Sequence, residues 1–169
     1  MMLKRIWKLV KEDKVFIADF WNSGTASDGC MAAARGGGYF YVMWDGTITP
    51  CVFIPFKDRD YGNLYTIYEK GKTLTDAIKS PLFSEIRKWQ NSYWIDQPKE
   101  KCGNLLVPCI IRDNCEEFHR IVQKVTALPV DEGATNFLSL VCSGQMPAYN
   151  QQYRRLVNPM WEKEYLSNT

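Results

Sequence analysis

Six cysteines, Cys30, Cys51, Cys102, Cys109, Cys115 and Cys142, are the residues of this 169-residue chain with most scope for chemistry. The single histidine, His119, leaves almost no room for a mixed Cys/His zinc site, so a bound metal would sit on sulfur. No two cysteines form the C-x2-C pair of zinc ribbons and thioredoxin-like sites. Instead Cys30 and Cys51 bracket a segment in the pattern C-x15-G-x4-C, with Gly46 as its glycine. Soft sulfur ligands drawn from separate loops suit an iron–sulfur cluster or zinc. A cubane carries its irons at the corners of a bulky core, so widely spaced ligands are natural to it, whereas zinc more often uses tight chelate loops. Two other readings stand beside metal binding: buried hydrophobic thiols, because free Cys is among the most buried residue types, and disulfides, which are uncommon in a reducing compartment.

The elements that must position these thiols begin with a hairpin. Tyr39–Trp44 is aromatic and β-branched, Asp45-Gly46 is a two-residue turn signal, Thr47–Thr49 returns, and Pro50 ends regular pairing. A two-residue turn sets Trp44 against Thr47, Met43 against Ile48 and Cys51 against Phe40. Cys51 then lies at the open end of the hairpin. The glycine-rich stretch 29–38 is free to fold Cys30 back beside it, and Cys109, after Pro108, arrives from a distant loop.

Helical spacing of Leu3, Ile6, Trp7 and Val10 predicts a helix over 2–10, and Val15–Ala18 follows as a short strand ending at Asp19. Helix followed by strand is one unit of an α/β fold, so this end reads as the tail of something larger. After an irregular stretch from Phe56 to Gly71, Thr73 and Asp76 stand in capping-box spacing, and Ser80-Pro81 opens a helix with Leu82, Phe83, Ile86 and Trp89 inward. Residues 97–101 form a loop. Asp113 and Glu116 cap a further helix with Phe118, Ile121, Val122 and Val125 inward. One more helix follows Asp131, carrying Phe137, Leu138 and Val141, and another follows Pro147, carrying Tyr149, Tyr153, Leu156 and Val157. The fold class is α+β: a two-stranded hairpin with surrounding short helices, preceded by a helix–strand unit.

Composition excludes several functions. The chain is 46% hydrophobic and 24% charged, a balance that builds a core without needing metals or disulfides for it. With 21 Lys+Arg against 19 Asp+Glu, the net charge of +2 argues against a nucleic-acid partner, and the hairpin aromatics read as core. No apolar run approaches a membrane span of ~20 residues, and no apolar stretch follows the basic N-terminus as in a secretory signal. These observations predict a cytoplasmic protein.

The stretch from Asp19-Phe20-Trp21-Asn22 through Gly29-Cys30, Tyr39-Phe40, Gly46 and Pro50-Cys51-Val52-Phe53 resembles the C-terminal auxiliary-cluster region of radical SAM proteins, the SPASM/Twitch type, whose first half follows C-x9–15-G-x4-C. Asn104–Asp113, with Pro108-Cys109 at its centre, resembles that family's later cysteine segment. The tail, Tyr153–Leu156 and Pro159-Met160-Trp161 to Glu164-Tyr165-Leu166, is similar to one branch of it. The resemblance implies that Cys30, Cys51 and Cys109 ligate one auxiliary [4Fe–4S] cluster, with Cys102 the candidate for the fourth position, which a substrate or water would otherwise fill. It further implies that residues 1–22 are the last helix and strand of a partial (β/α) barrel, 23–125 the cluster domain, and 126–169 a helical C-terminal extension. The chain departs from the family in lacking the C-x2-C-x5-C-x3-C element of a second cluster. It also lacks the C-x3-C-x2-C loop that holds the cluster cleaving S-adenosylmethionine. The implied function is electron relay or substrate anchoring for a radical SAM core domain supplied elsewhere. The chain is not competent alone, and its peptide or small-molecule substrate is unspecified. Structural zinc on the same thiolates, or a metal-free interaction module, are the alternatives.

The remaining candidates carry bland readings. Arg35-Gly36-Gly37-Gly38 suggests a phosphate cradle but lacks a P-loop ending, and reads as the flexible loop that lets Cys30 reach its partners. Asp19 and Asn22 read as turn or cap residues, His119 as a solvated helix residue, and Cys115 and Cys142 as core thiols.

Overall fold

The computed structural model describes residues 2–15, 24, 27 and 29–166, with the side chains of 2–4, 7 and 99 left aside. The first helix, α1 (Met2–Lys11), forms where the apolar spacing places it. The strand expected at Val15–Ala18, and Asp19 and Asn22 beyond it, lie outside the described residues except for Val15, which is exposed and carries no strand.

The hairpin forms, one residue out of the expected register. β1 (Tyr41–Val42) pairs antiparallel with β2 (Ile48–Thr49), Tyr41 against Thr49 and Val42 against Ile48. The Met43 N–H donates to the Thr47 carbonyl at 2.8 Å, so the loop is Trp44-Asp45-Gly46, three residues rather than two. Gly46 sits in the left-handed region at φ 81°, the position a three-residue loop reserves for glycine. Asp45 fixes this turn by accepting the Thr47 N–H at 2.9 Å. Because side chains alternate across a strand, the shift exchanges faces. Continuing the count puts Tyr39, not Phe40, across from Cys51, while the Phe40 ring packs edge-on against Phe83 at 6.2 Å.

The stretch read as irregular contains two elements. β3 (Phe56–Lys57) pairs with β4 (Leu128–Pro129) far along the chain. α2 (Leu64–Glu69) is capped by Asn63, whose side chain accepts the Tyr65 and Thr66 N–H groups. α3 (Leu74–Ile78) starts at the Thr73/Asp76 capping box as expected. α4 (Pro81–Gln90) opens on Pro81 and buries Leu82, Phe83, Ile86, Trp89 and Gln90, then runs into a π-helical turn over Asn91–Ile95. A short 3-10 turn (Lys99–Lys101) interrupts the following loop.

α5 (Cys115–Val125) is preceded by Asn114 rather than Asp113, which is occupied elsewhere. α6 (Glu132–Cys142) is capped by Asp131, which accepts the Ala134 N–H at 2.8 Å. α7 (Gln145–Trp161) begins before Pro147 and ends in a π-helical turn, Glu162–Leu166. Its inward stripe is Asn150, Val157 and Trp161; Tyr149 and Leu156, expected inside, are exposed.

Most of the core lies between the hairpin, β3, α4 and α5, with Phe56 and Phe118 edge-to-face at 5.4 Å. A smaller cluster joins Leu106 and Val107 to Val157 and Trp161 of α7. The whole is α+β, with two small antiparallel sheets among helices. Among the described residues no helix is long and apolar enough to cross a membrane.

Candidate metal centre

Three of the expected ligands lie in one region at the open end of the hairpin. Cys30 feels the charge of Cys51, Cys109 feels that of Cys30, and the Tyr39 hydroxyl feels all three. All three thiols pack on the main core, Cys51 buried and the others half-buried, and none is in a disulfide. Among the described residues no three Cys, His, Asp or Glu side chains close onto a point that would hold a single metal ion.

Each thiol is held by its own local geometry. Cys51 ends β2, where Pro50 stops the ladder. The Ile54 N–H donates to the Cys51 carbonyl at 3.0 Å and closes a tight turn. Cys30 follows Gly29, which has φ 91° and lies flat against the Trp94 ring, where a Cβ would collide. The chain then turns through two left-handed alanines, Ala33 and Ala34, at φ 60° and 53°. Such conformations cost of order 1 kcal/mol or more each and persist only where the surroundings over-determine them. Here they do. The Ala33 N–H donates to the Pro50 carbonyl at 2.8 Å, tying the Cys30 loop to the Cys51 turn. Arg87 donates to the Ala33 carbonyl at 2.6 Å, and the fully buried Gln90 amide donates to the carbonyls of Cys30 (3.1 Å) and Ala32 (3.0 Å). α4 therefore holds the Cys30 loop through two polar side chains.

The Cys109 loop is clamped from the other side. Its N–H donates to the buried Asp113 carboxylate at 3.0 Å, which also takes a two-pronged bond from Arg112 at 2.6 and 2.9 Å. Asn114 donates to the Cys109 carbonyl at 3.2 Å, and Arg154 of α7 donates to Asn114 Oδ1 at 2.6 Å and to the Asp113 carbonyl at 3.0 Å. Asp113 thus positions Cys109 and caps no helix.

The sulfurs are ringed by donors. Burial pushes the Cys30 thiol up, opposed by the Ala32 N–H, and the Gln90 side chain and Ile110 N–H pull the same way as Ala32. Burial pushes Cys109 up to about 12, reinforced by Cys30 and opposed by the Arg112 and Ile111 N–H groups. Cys51 Sγ lies 3.0 Å from the Tyr39 hydroxyl and 3.5 Å from the Phe53 N–H. Burial and the Cys51 contact together raise Tyr39 well above the ordinary phenol range. A neutral thiol is a weak acceptor, so donors aimed at sulfur matter chiefly for a thiolate. Three buried thiolates side by side repel, and a cation among them relieves both burial and repulsion.

The other cysteines separate. Cys102 packs against both core clusters and lines a neighbouring cleft with Arg35 and Trp94; neither Cys30 nor Cys109 has it among the charges that weigh most on it. Cys115 is a core thiol as expected, fully buried, accepting the Asn150 side-chain N–H at 3.0 Å. Cys142 is not: it is exposed on α6, 3.7 Å from His119 Nε2, because α6 turns Val141 and Ala134 inward instead. The Arg35–Gly38 turn leads into β1 rather than a helix, and its Gly38 and Tyr39 N–H groups are spent on the Arg35 and Met31 carbonyls. Sequence reasoning missed Tyr39, Gln90, Arg87 and Asp113 as supporting residues. A glutamine and an arginine within the apolar face of a helix was the available signal for α4. No family model, curated protein or solved structure matches the chain.

Proposed function

We propose that this chain is an auxiliary [4Fe–4S] module of the SPASM/Twitch type, serving a radical SAM core domain by electron relay or substrate anchoring. The observation that carries the reading is the hydrogen bond from the Ala33 N–H to the Pro50 carbonyl at 2.8 Å, which ties the Cys30 loop to the Cys51 turn at the hairpin end. There Cys51 Sγ faces the Tyr39 hydroxyl and the Phe53 N–H. Thiols drawn from loops far apart in the chain suit a bulky cluster better than one tetrahedral ion, which more often sits on tight chelate loops. When bound, a cluster supplies one-electron transfer or an iron to which a substrate attaches.

The chain's residues then have defined tasks. Cys30, Cys51 and Cys109 hold the cluster as thiolates, with Cys102 or an external ligand in the fourth position. The N–H groups of Ala32, Phe53, Ile110, Ile111 and Arg112 stabilise charge on sulfur and so set the reduction potential. Tyr39 donates to Cys51 in that state. In this reading residues 1–22 complete the partial barrel, 23–125 form the cluster domain and 126–169 are the extension that braces Cys109. Cleavage of S-adenosylmethionine belongs to the core domain, the substrate is a peptide or small molecule, and the protein works in the cytoplasm.

Ligand substitution tests the assignment. After anaerobic reconstitution, Cys30→Ala and Cys109→Ala should each lose the visible absorption of the cluster, whereas Cys142→Ala should keep it. Loss in Cys142→Ala with retention in Cys109→Ala would overturn it.

A further inference from the structure

A cleft of about 670 Å³ opens beside the Cys30 loop, between the turn at Arg35-Gly36, the end of α4 with its π-helical turn, and the loop carrying Leu105. Among the described residues its lining holds two guanidinium groups, Arg35 and Arg87, and no carboxylate. Neither arginine is ion-paired among the described residues, although five other cations are. Arg87 spends donors on the Ala33 carbonyl and on Ser84, and Arg35 spends one on the Ser27 carbonyl, all neutral acceptors. The Arg35 guanidinium lies over the Trp94 ring at 5.7 Å. Two buried donors, Arg35 Nε and Trp94 Nε1, have no hydrogen-bond partner among the described residues, and Trp94 is 7% exposed. Buried donors are paired in the great majority of cases, and charges withdrawn from water need a counter-charge.

We propose that this cleft binds a small organic carboxylate, held by Arg35 and Arg87 with its apolar body against Trp94, Ile95 and Leu105. A carboxylate has two oxygens to satisfy, matching the few donors on offer. A phosphate asks for more, usually from backbone N–H groups at the start of a helix, whereas the glycine turn beside this cleft leads into β1. The apolar wall excludes water from the ion pair and strengthens it. The groups that would hold the carboxylate, Arg35, Arg87, Trp94, Ile95 and Leu105, are not among the proposed cluster ligands, although Cys102, the candidate for the fourth position, lines the same cleft.

The test is an NMR titration of the full chain with benzoate, followed on the indole N–H signals, with that of Trp94 assigned by its loss in Trp94→Phe. Benzoate should shift the Trp94 indole resonance, while benzamide, its neutral counterpart, and inorganic phosphate should leave it in place. Arg35→Met should weaken benzoate binding roughly tenfold or more, and Arg35→Lys should restore part of it. Equal shifts from benzamide and benzoate, a phosphate-induced shift in place of the benzoate one, or no benzoate shift up to roughly 10 mM would each overturn the proposal. The comparison of benzoate with benzamide on the unsubstituted chain decides the matter even if the arginine variants fold poorly.

Discussion

Replacing Asp113 by Asn tests whether the Cys109 loop is braced as described. Asp113 is 2% exposed and accepts two bonds from Arg112, whose side chain is 18% exposed, as well as the Cys109 N–H. Asn has the same shape but cannot balance the guanidinium, so the variant takes the bidentate carboxylate away from a largely buried charge. Breaking such a pair from one side costs about 3–5 kcal/mol. The partial exposure of Arg112 and its stacking on Tyr153 at 5.4 Å recover some of this, giving a net cost of about 3 kcal/mol. With a urea m-value of about 2 kcal/mol/M, the unfolding midpoint should fall by about 1.5 M at unchanged m. The same substitution made in an Arg112→Met background should cost under about 1 kcal/mol, because no charge is then stranded. A cost below about 1 kcal/mol in the parent chain, or an equal cost in both backgrounds, would refute the reasoning.

Two further predictions follow from local geometry. Gly46→Ala places a side chain at φ 81° with its Cβ 2.7 Å from the Tyr65 ring, and should destabilise by more than about 1 kcal/mol in thermal unfolding, with the loss confined to the hairpin in hydrogen exchange. Glu85, bonded to Lys124 at 2.6 Å and Lys88 at 2.7 Å, is held below the usual carboxylate range by those two lysines. A lowered folded pKa binds fewer protons than the unfolded chain, so the stability from Glu85 is present above its unfolded pKa of about 4.3 and lost as pH falls through the folded value. Denaturation across that acid range should show a shallower pH dependence in Glu85→Gln than in the parent.

The parts of the fold legible in the sequence are those where one local rule decides. The Thr73/Asp76 box, Pro81 at a helix start and the apolar stripes of α4 and α5 all stand where spacing puts them. The hairpin was legible as a hairpin, but Asp45-Gly46 serves equally as the second half of a three-residue loop, and that ambiguity moved Tyr39 opposite Cys51. α2 is six residues long and rich in aromatic and β-branched types, so propensity conceals it, and Asn63 was its one local mark. β3 and β4 are two residues each and meet only through tertiary packing. On α7 a polar residue, Asn150, faces inward because Cys115 accepts its N–H, which hydrophobic periodicity reads backwards. At the site, the hairpin signal placed Cys51 at the open end and the glycine-rich stretch brought Cys30 toward it, while Cys109 came from the resemblance and not from local geometry. The bracing by Gln90, Arg87 and Asp113 was not legible, because those bonds join residues whose partners lie on other loops or are buried backbone groups.

The central claim is that the three hairpin-end thiols hold an iron–sulfur cluster. Its most direct test is anaerobic purification of the full chain with iron–sulfide reconstitution, followed by iron and acid-labile sulfide counts per chain beside the visible spectrum. About four of each are expected, with a broad absorption near 400 nm. One tightly bound zinc with a colourless protein, or no metal at all, would contradict the claim.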